Sequence, residues 1–217
     1  MIRFDKVTKT FPSGITAVED LSFTVDSGEF IGITGPSGAG KTTILKLLIQ
    51  ETLPTSGTIT VSELEVGKLK PKDLPKLRRA VGAVFQDFKI LEDQTAAENI
   101  ALVKEILGDS LDESLSSASK LLESVGLAGK ENLFPRQLSG GELQRVAIAR
   151  ALAVKPKIIF ADEPTGNLDA DTATAIMKLL KEINSSGTTV LVASHDEQLL
   201  KRFADNLVRL EKGKMVK

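Results

Sequence analysis

The amino-acid sequence predicts an α/β fold with a parallel central sheet, an antiparallel β layer beside it and a block of inserted helices. Apolar strand-like runs alternate with helical patterns at 29–50 and again at 157–210, which is the order of a parallel sheet with helical crossovers. Shorter runs at 2–7 and 21–25 alternate apolar with polar residues, as half-buried antiparallel strands do. Helical patterns alone occupy the stretch from about 88 to 153.

The composition limits both the size of the protein and its chemistry. A chain of 217 residues is long enough for one domain with its own core. Its 28 basic and 29 acidic residues give a net charge of −1, so a nucleic-acid or membrane contact would need a local patch. The absence of Cys and the single histidine, His195, exclude disulfides, thiol catalysis and a multi-histidine metal centre. No signal peptide and no run of about 18 apolar residues occur, so we expect a cytoplasmic protein.

The N-terminal part of the chain contains strands of both predicted sheets. Residues 29–35 form a continuous apolar run, which is typical of a strand buried on both faces. A glycine-rich turn and an amphipathic helical pattern at 41–50 follow, so the stretch is a strand, loop and helix unit. Further strands are predicted at 57–61 and 81–85. The segment 67–79 between them is strongly basic, and we interpret it as a solvated connection, with contact to anionic lipid or a partner as the alternative.

Three capping-box sequences, in which Ser or Thr precedes Glu by three positions, predict the starts of three helices. The boxes are Thr95 with Glu98, Ser110 with Glu113, and Ser139 with Glu142. Gly108 and Gly126 follow the first two patterns and predict where those helices end.

Beyond these helices the chain returns to alternating strands and helices. Strands are predicted at 157–161, 188–193 and 206–210, with helices near 170–184 and 196–203 between them. We therefore expect a single domain whose core comprises 1–87 and 154–217. Residues 88–153 form the helical subdomain of this prediction.

A glycine-rich loop carries the first motif with a chemical meaning. Residues 35–42 read GPSGAGKT, which matches the pattern G-x-x-x-x-G-K-[ST] between a predicted strand and a helix. Its backbone N–H groups approach phosphates closely, the Lys41 ammonium reaches the terminal phosphates, and the Thr42 hydroxyl ligates Mg²⁺. The motif predicts a P-loop nucleotide-binding fold. Its candidate ATP contacts are Gly35, Pro36, Ser37, Gly38, Ala39, Gly40, Lys41, Thr42 and Thr43.

Two acids follow a later apolar strand, at 157–161. Asp162 is expected at the carboxyl edge of the parallel sheet, where such folds bind ligands, and is our candidate for holding Mg²⁺. Glu163 comes next and is placed to accept a proton from an attacking water.

The stretch LSGGELQR at 138–145 helps to distinguish between the classes of P-loop enzyme. Helix capping explains Ser139 and Glu142, but Gly140 and Gly141 weaken a first helical turn, and they make sense if its N–H groups approach a phosphate. The sequence contains neither D-x-x-G nor N-K-x-D, the patterns expected of a GTPase.

With these motifs in order, the chain resembles the ABC ATPase family over nearly all its length. The resemblance implies a RecA-like core with an antiparallel β subdomain and a helical subdomain. It makes Phe11 an adenine-stacking residue, Gln86 a contact to Mg²⁺ and the attacking water, Asp169 the D-loop acid and His195 a γ-phosphate contact. It also implies that two copies pair head to tail, so that Ser139, Gly140, Gly141 and Glu142 complete the other subunit's site.

Within the family, the stretches at 78–82 and 84–91 resemble the cell-division subgroup. That subgroup implies an integral membrane partner docked near 86–91, an ATPase at the inner face of the cell membrane, and control of cell-wall hydrolases. A subunit of a lipoprotein-release or macrolide-efflux transporter is the first alternative. An ATP-gated binding module with negligible turnover is the second, and a DNA-repair ATPase is disfavoured because 98 positions between Lys41 and Ser139 leave no room for a long coiled coil.

Overall fold

The structure, a computed structural model, describes residues 1–216 and contains two β-sheets with helices on either side. The strands are β1 (Ile2–Thr10), β2 (Thr16–Val25), β3 (Phe30–Thr34), β4 (Ser56–Val61), β5 (Leu64–Glu65), β6 (Val81–Val84), β7 (Ile158–Asp162), β8 (Thr189–Ser194), β9 (Asn206–Glu211) and β10 (Lys214–Val216). The helices are α1 (Lys41–Leu48), α2 (Leu74–Ala80), α3 (Ala96–Ile106), α4 (Leu111–Ser124), α5 (Gly140–Leu152), α6 (Ala170–Ser185) and α7 (Glu197–Lys201).

The central sheet has the order β10-β9-β3-β8-β7-β6 and is parallel except for the edge strand β10. Every residue of β3, β7 and β8 is buried, which explains why these strands are continuous apolar runs rather than alternating ones. The carboxyl ends of β3 and β7 lead directly into the glycine-rich loop and into Glu163. The prediction of an α/β fold with a parallel sheet is confirmed.

The second sheet has the order β2-β1-β4-β5 and is antiparallel, as the alternating N-terminal pattern predicted. The rings of Phe4 and Phe23 stack across β1 and β2 with centroids 4.6 Å apart. Both strands are longer than the runs at 2–7 and 21–25, because irregular register near Val7 lets the ladder continue through polar residues.

Two hydrophobic cores lie on opposite faces of the central sheet. Successive residues of β7 alternate between them: Ile158 and Phe160 face the antiparallel sheet and α1, whereas Ile159 and Ala161 face the helices α3 to α6. The carboxyl edge is therefore supported from both faces.

The helical block begins as the local signals predicted. Thr95, Ser110 and Ser139 each cap a helix with a complete capping box. Gly108 and Gly126 follow the first two of these helices with φ of 103° and 77°, a conformation that favours glycine. The core of this block continues through α5 onto Val84 and the central sheet. The division at 88–153 stays a prediction.

Three short elements were not predicted. Helix α2 lies within the basic segment 67–79 and buries only Leu77, so no amphipathic stripe marks it. Strands β5 and β10 have two and three residues and depend on pairing with a neighbour. In addition, α7 ends at Lys201, before the predicted limit of 203. Within residues 1–216, none of the helices has the length and apolar character needed to cross a bilayer.

Candidate functional site

A cleft of about 500 Å³ opens where the loop after β3 turns into α1. The loop residues Ser37 to Gly40 and the first residues of α1, Lys41 to Thr43, form one wall. Gly40 has a φ of 103°, and a Cβ atom there would collide with the carbonyl oxygen of Ala17, so only glycine fits this turn. The arrangement directs the first N–H groups of α1 towards the cleft, which is the geometry that binds phosphates.

The Lys41 side chain crosses this cleft and is almost fully buried. Its Nζ atom donates to the carbonyl oxygens of Gly35 at 2.6 Å and Pro36 at 3.2 Å. It also lies 3.2 Å from Oε1 of Glu163. The loop, the strand end of β7 and the start of α1 are thus joined through one ammonium group.

Glu163 is held in an unusual backbone conformation between Lys41 and His195. Its φ is 47°, uncommon for a residue with a side chain, and its N–H donates to the Ala193 carbonyl at 2.8 Å. Its Oε2 atom accepts from the His195 backbone N–H at 3.3 Å and lies 2.9 Å from the imidazole Nδ1. The carboxylate is therefore aimed into the cleft by contacts on both oxygens, whereas His195 itself is mostly exposed.

Asp162 lies one residue earlier and is only 2% exposed. Burial raises the pKa of this carboxyl group, and a hydrogen bond with the Thr42 hydroxyl partly offsets the rise. Its Oδ1 atom has no hydrogen-bond partner among the described residues. A buried, unpaired carboxylate oxygen beside a hydroxyl is a donor set that suits a hard cation such as Mg²⁺.

Gln86 follows β6 and borders both this cleft and a neighbouring one that contains Asp162 and Thr42. It thus stands between the predicted metal ligands and the chain that continues to Leu91. Across residues 1–216, no three His, Asp or Glu side chains cluster closely enough to hold a metal by themselves.

Phe11 is a predicted ATP contact that the lining of the cleft does not include, as are Gly35 and Pro36, whose carbonyl oxygens accept from Lys41. The Phe11 ring lies 5.0 Å from the Lys9 Nζ atom, and the Phe11 N–H donates to the Ile15 carbonyl at 2.9 Å. The lining instead includes Ile15, Thr16 and Ala17, which the sequence did not single out. The 65% exposure of Ile15, an apolar residue in a turn between strands, is a signal that only the structure provides.

The residues Ser139 to Glu142 lie outside the cleft of their own chain. Ser139 is exposed at the start of α5, and its N–H donates to Glu142 at 2.8 Å. Glu142 also forms an ion pair with Lys130, and this ion pair, with the capping bonds to Ser139, lowers its pKa. Asp169 caps the neighbouring helix α6, where its Oδ1 accepts from the N–H groups of Asp171 and Thr172. The two helix starts are thus ordered without a ligand.

Comparisons with known proteins agree with this geometry. A family model described as "ABC transporter" matches residues 18–166. A "Cell division ATP-binding protein FtsE" of Mycobacterium tuberculosis is 45% identical over 218 residues, which cover 100% of this chain and 95% of that protein. The protein of the same name in Bacillus subtilis is 42% identical over 217 residues, with the same coverage of 100% and 95%. A solved dimeric ATP-binding cassette in a post-hydrolysis state, bound to ADP and Pi, matches with a TM-score of 0.91 and 38% identity over 100% of this chain and 97% of that one.

Proposed function

The chain belongs to the ABC transporter family of ATP-binding cassettes, and we propose that its ATP hydrolysis drives an FtsX-like integral membrane protein in cell division. It is an ATPase of the FtsE type, since its full length matches curated proteins of that name at 42–45% identity. The observation that carries the catalytic proposal is the contact of Glu163 with both Lys41 and His195 at the carboxyl edge of the sheet. Control of cell-wall hydrolases outside the membrane is the proposed output of the cycle.

ATP enters the cleft with its phosphates against the N–H groups of residues 37–43. Lys41 then exchanges its contact with Glu163 for the terminal phosphates, since one ammonium group cannot serve both equally. This exchange leaves the Glu163 carboxylate free to act while the His195 backbone N–H still orients it. Phe11 and the adjacent turn at Ile15 to Ala17 form the proposed adenine side of the cleft.

The residues that would hold Mg²⁺ are Thr42, Gln86 and Asp162. The bound ion would neutralise charge on the β- and γ-phosphates. The unpaired Oδ1 of Asp162 supports this assignment, and ATP would supply the remaining oxygen ligands.

Hydrolysis proceeds by in-line attack of water on the γ-phosphate. Glu163 orients and deprotonates this water, and His195 contacts the γ-phosphate from the end of β8. The strained backbone at Glu163 fixes the direction of its side chain before the substrate arrives, so little reorganisation is needed during the reaction.

Each active site is proposed to be shared between two copies in a head-to-tail homodimer. Ser139, Gly140, Gly141 and Glu142 do not line the cleft of their own chain, but Ser139 and Gly140 are exposed at the helix start and available to a second chain. Asp169, next to them, would contact the partner's site. The dimeric state of the solved cassette that this chain resembles supports the arrangement.

The membrane partner would place the protein at the inner face of the cell membrane. The proposed docking stretch is Gln86 to Leu91, in which Leu91 is 41% exposed. The transporter alternatives share this chemistry, and the names of the curated relatives favour the cell-division role.

Replacing Glu163 with Gln tests the catalytic proposal. The variant should bind ATP with native affinity, form a lasting ATP-dependent dimer and hydrolyse ATP at least about 100-fold more slowly, because the base is lost. Single-turnover hydrolysis and light scattering measure these effects, with Glu105→Gln on the exposed face of α3 as the matched control. Hydrolysis by Glu163→Gln at the native rate would remove Glu163 from the mechanism.

Replacing Leu91 with Arg tests the partner. The variant should lose capture of the FtsX-like protein from detergent extracts while its own ATPase rate is unchanged. If Leu91→Arg and the parent capture equal amounts of the FtsX-like protein, the docking surface lies elsewhere. This conclusion does not depend on the result for Glu163→Gln, which tests catalysis alone.

A further inference from the structure

A second cleft, of about 610 Å³, lies at the opposite end of the central sheet from the ATP site. It is bordered by the end of α2, by the turn after α5 and by the start of β7. Asp162 ends β7 at the ATP site, whereas Lys157 directly precedes the same strand and borders this cleft. The two sites are thus separated by the length of a strand and share none of their lining residues.

Four cations face this basic cleft, which we define by Lys76, Arg79, Lys155 and Lys157. Two come from the basic segment 67–79, and two come from a part of the chain about 80 positions later. All four side chains are exposed, and the only acid in the lining is Glu63. The fold therefore brings together a charge cluster that neither segment contains alone.

The cluster is not neutralised by the protein. Among the described residues, none of its four members forms an ion pair with a carboxylate, although other basic residues nearby do have partners. Lys68 lies 3.0 Å from Glu65, and the Arg78 side chain donates to the Ile49 carbonyl at 3.3 Å. Like charges around one concave surface repel each other, and a multivalent anion would relieve this repulsion.

Backbone geometry fixes the shape of the cleft, and the floor of the cleft is apolar. Ser62 and Lys155 have φ of 55° and 50°, and the Ser62 N–H donates to the Met1 carbonyl at 2.7 Å. Among the apolar residues of the lining, Val61 is fully buried, and Leu64 and Val154 are partly buried. The site is therefore a formed concavity with an apolar base and a cationic rim, which suits a compact anion better than an extended chain.

We propose that the basic cleft binds a compact anion with two or more adjacent phosphates. Ammonium and guanidinium groups are the side chains that proteins use for phosphate, and four of them around one cleft favour clustered phosphates over a single charge. Such phosphates occur in soluble polyphosphates and in lipids whose headgroups carry two phosphate groups. The proposal goes beyond ATP hydrolysis, because the cleft is remote from the nucleotide.

The first arm of the test uses inorganic tripolyphosphate. Calorimetric titration is done with the ATP site saturated by ADP at fixed free Mg²⁺, so that the glycine-rich loop is already occupied. Lys76→Glu with Arg79→Glu, and separately Lys155→Glu with Lys157→Glu, should weaken binding at least tenfold. Lys70→Glu with Lys72→Glu, which changes the same charge outside the cleft, should leave binding within twofold.

The second arm uses flotation with vesicles of phosphatidylcholine containing cardiolipin, a lipid whose headgroup carries two phosphodiester groups. Loss of flotation in both cleft pairs, but not in the control pair, would identify a headgroup as the source of the phosphates. Binding of tripolyphosphate without flotation would identify a soluble anion. Unchanged basal ATPase activity in all three variants shows that they are folded.

The proposal is overturned if the parent protein binds neither probe. It is also overturned if the control pair weakens binding as much as the cleft pairs do, because binding would then follow net charge alone.

Discussion

Gly141 shows how a single hydrogen in place of a side chain can serve two purposes. The sequence suggested that this glycine lets the start of α5 approach a phosphate. In the structure a Cβ atom at Gly141 would collide with Cγ2 of Thr172 on α6, so close helix packing also requires glycine. Alanine would improve helix propensity by about 1 kcal/mol, but overpacking costs about 1–3 kcal/mol. We therefore expect the collision to dominate.

Gly141→Ala should lower the free energy of unfolding by about 1 kcal/mol, and Gly141→Ala with Thr172→Ser should recover most of it. Serine removes the colliding methyl group but keeps the hydroxyl. Denaturant unfolding measures stability, with Thr172→Ser alone as the control. ATPase activity of the double variant should stay low, because the phosphate contact still lacks space. Full activity in that variant would mean that packing alone explains the glycine.

The position of the candidate site residues at one sheet edge was predictable, but their contacts in the structure were not. Lys41, Asp162 and Glu163 follow strands in recognisable motifs, so their placement at one sheet edge follows from topology. The contacts of Glu163 with Lys41 and His195 depend on a backbone φ of 47°, which no motif encodes. The turn at Ile15 joins β1 to β2, and it borders the cleft because the Ala17 backbone packs against Gly40, a contact between distant parts of the chain that no motif encodes.

Among the elements, α5 connects the Ser139 stretch with the proposed docking stretch. Its first residue follows Ser139, and near its other end the Arg150 side chain donates to the carbonyls of Phe88 at 2.6 Å and Lys89 at 2.5 Å. Phe88 and Lys89 both have positive φ, so these bonds hold a strained part of the proposed docking stretch. Burial lowers the pKa of the Arg150 guanidinium below its ordinary value.

Arg150→Lys should reduce stimulation of the ATPase by the membrane partner more than it reduces the basal rate. A lysine lacks the planar fork with which the guanidinium aims two N–H groups at the carbonyls of Phe88 and Lys89, so the docking stretch loosens from α5. Loss of one of these partly exposed bonds also costs about 1 kcal/mol of stability. Steady-state rates with and without the partner measure the effect, with the exposed Arg136→Lys as the control. Equal reductions in both rates would assign Arg150 a structural role only.

The stability of the start of α5 should also depend on pH, because it involves the carboxylate of Glu142. Its pKa lies below the ordinary value of 4.5, so the folded state gains stability from the charged form above that pH. This gain disappears as the pH falls through the lowered pKa. Glu142→Ala should therefore cost about 1 kcal/mol at pH 7 and progressively less below pH 4.5. Thermal unfolding of the variant and the parent over a range of pH measures the difference. The same loss of stability at every pH would show that the charge of Glu142 does not contribute to it.

Helices with a start signal in their own sequence were predictable, whereas elements that depend on pairing or packing with other segments of the chain were not. The capping boxes at Thr95, Ser110 and Ser139 are formed within one helical turn, so sequence alone identified them. Helix α2 and strand β10 lack such signals, because seven residues with one buried side chain and a three-residue edge strand gain their order from neighbours.

For the molecule as a whole, the proposed site is divided between two chains. Ser139 is not among the residues that line the cleft at Lys41 of its own chain, and α5 and α6 hold their starts in place through caps. The near-neutral net charge leaves long-range repulsion between copies small, so association can be governed by the shared nucleotide. ATP would then act as part of the interface.

Mixing two inactive variants should therefore restore hydrolysis. Lys41→Ala damages the cleft and Ser139→Arg damages the opposite half, so a mixed dimer has one site with both defects and one intact site. Half of the dimers in an equal mixture are mixed, so the rate should reach about a quarter of the native rate. Lys41→Ala mixed with Asp162→Asn is the matched control, because both defects lie in the same half and no intact site can form. Recovery in the first mixture alone requires a head-to-tail dimer, whereas a rate equal to the sum of the parents' rates would place each complete site within a single chain.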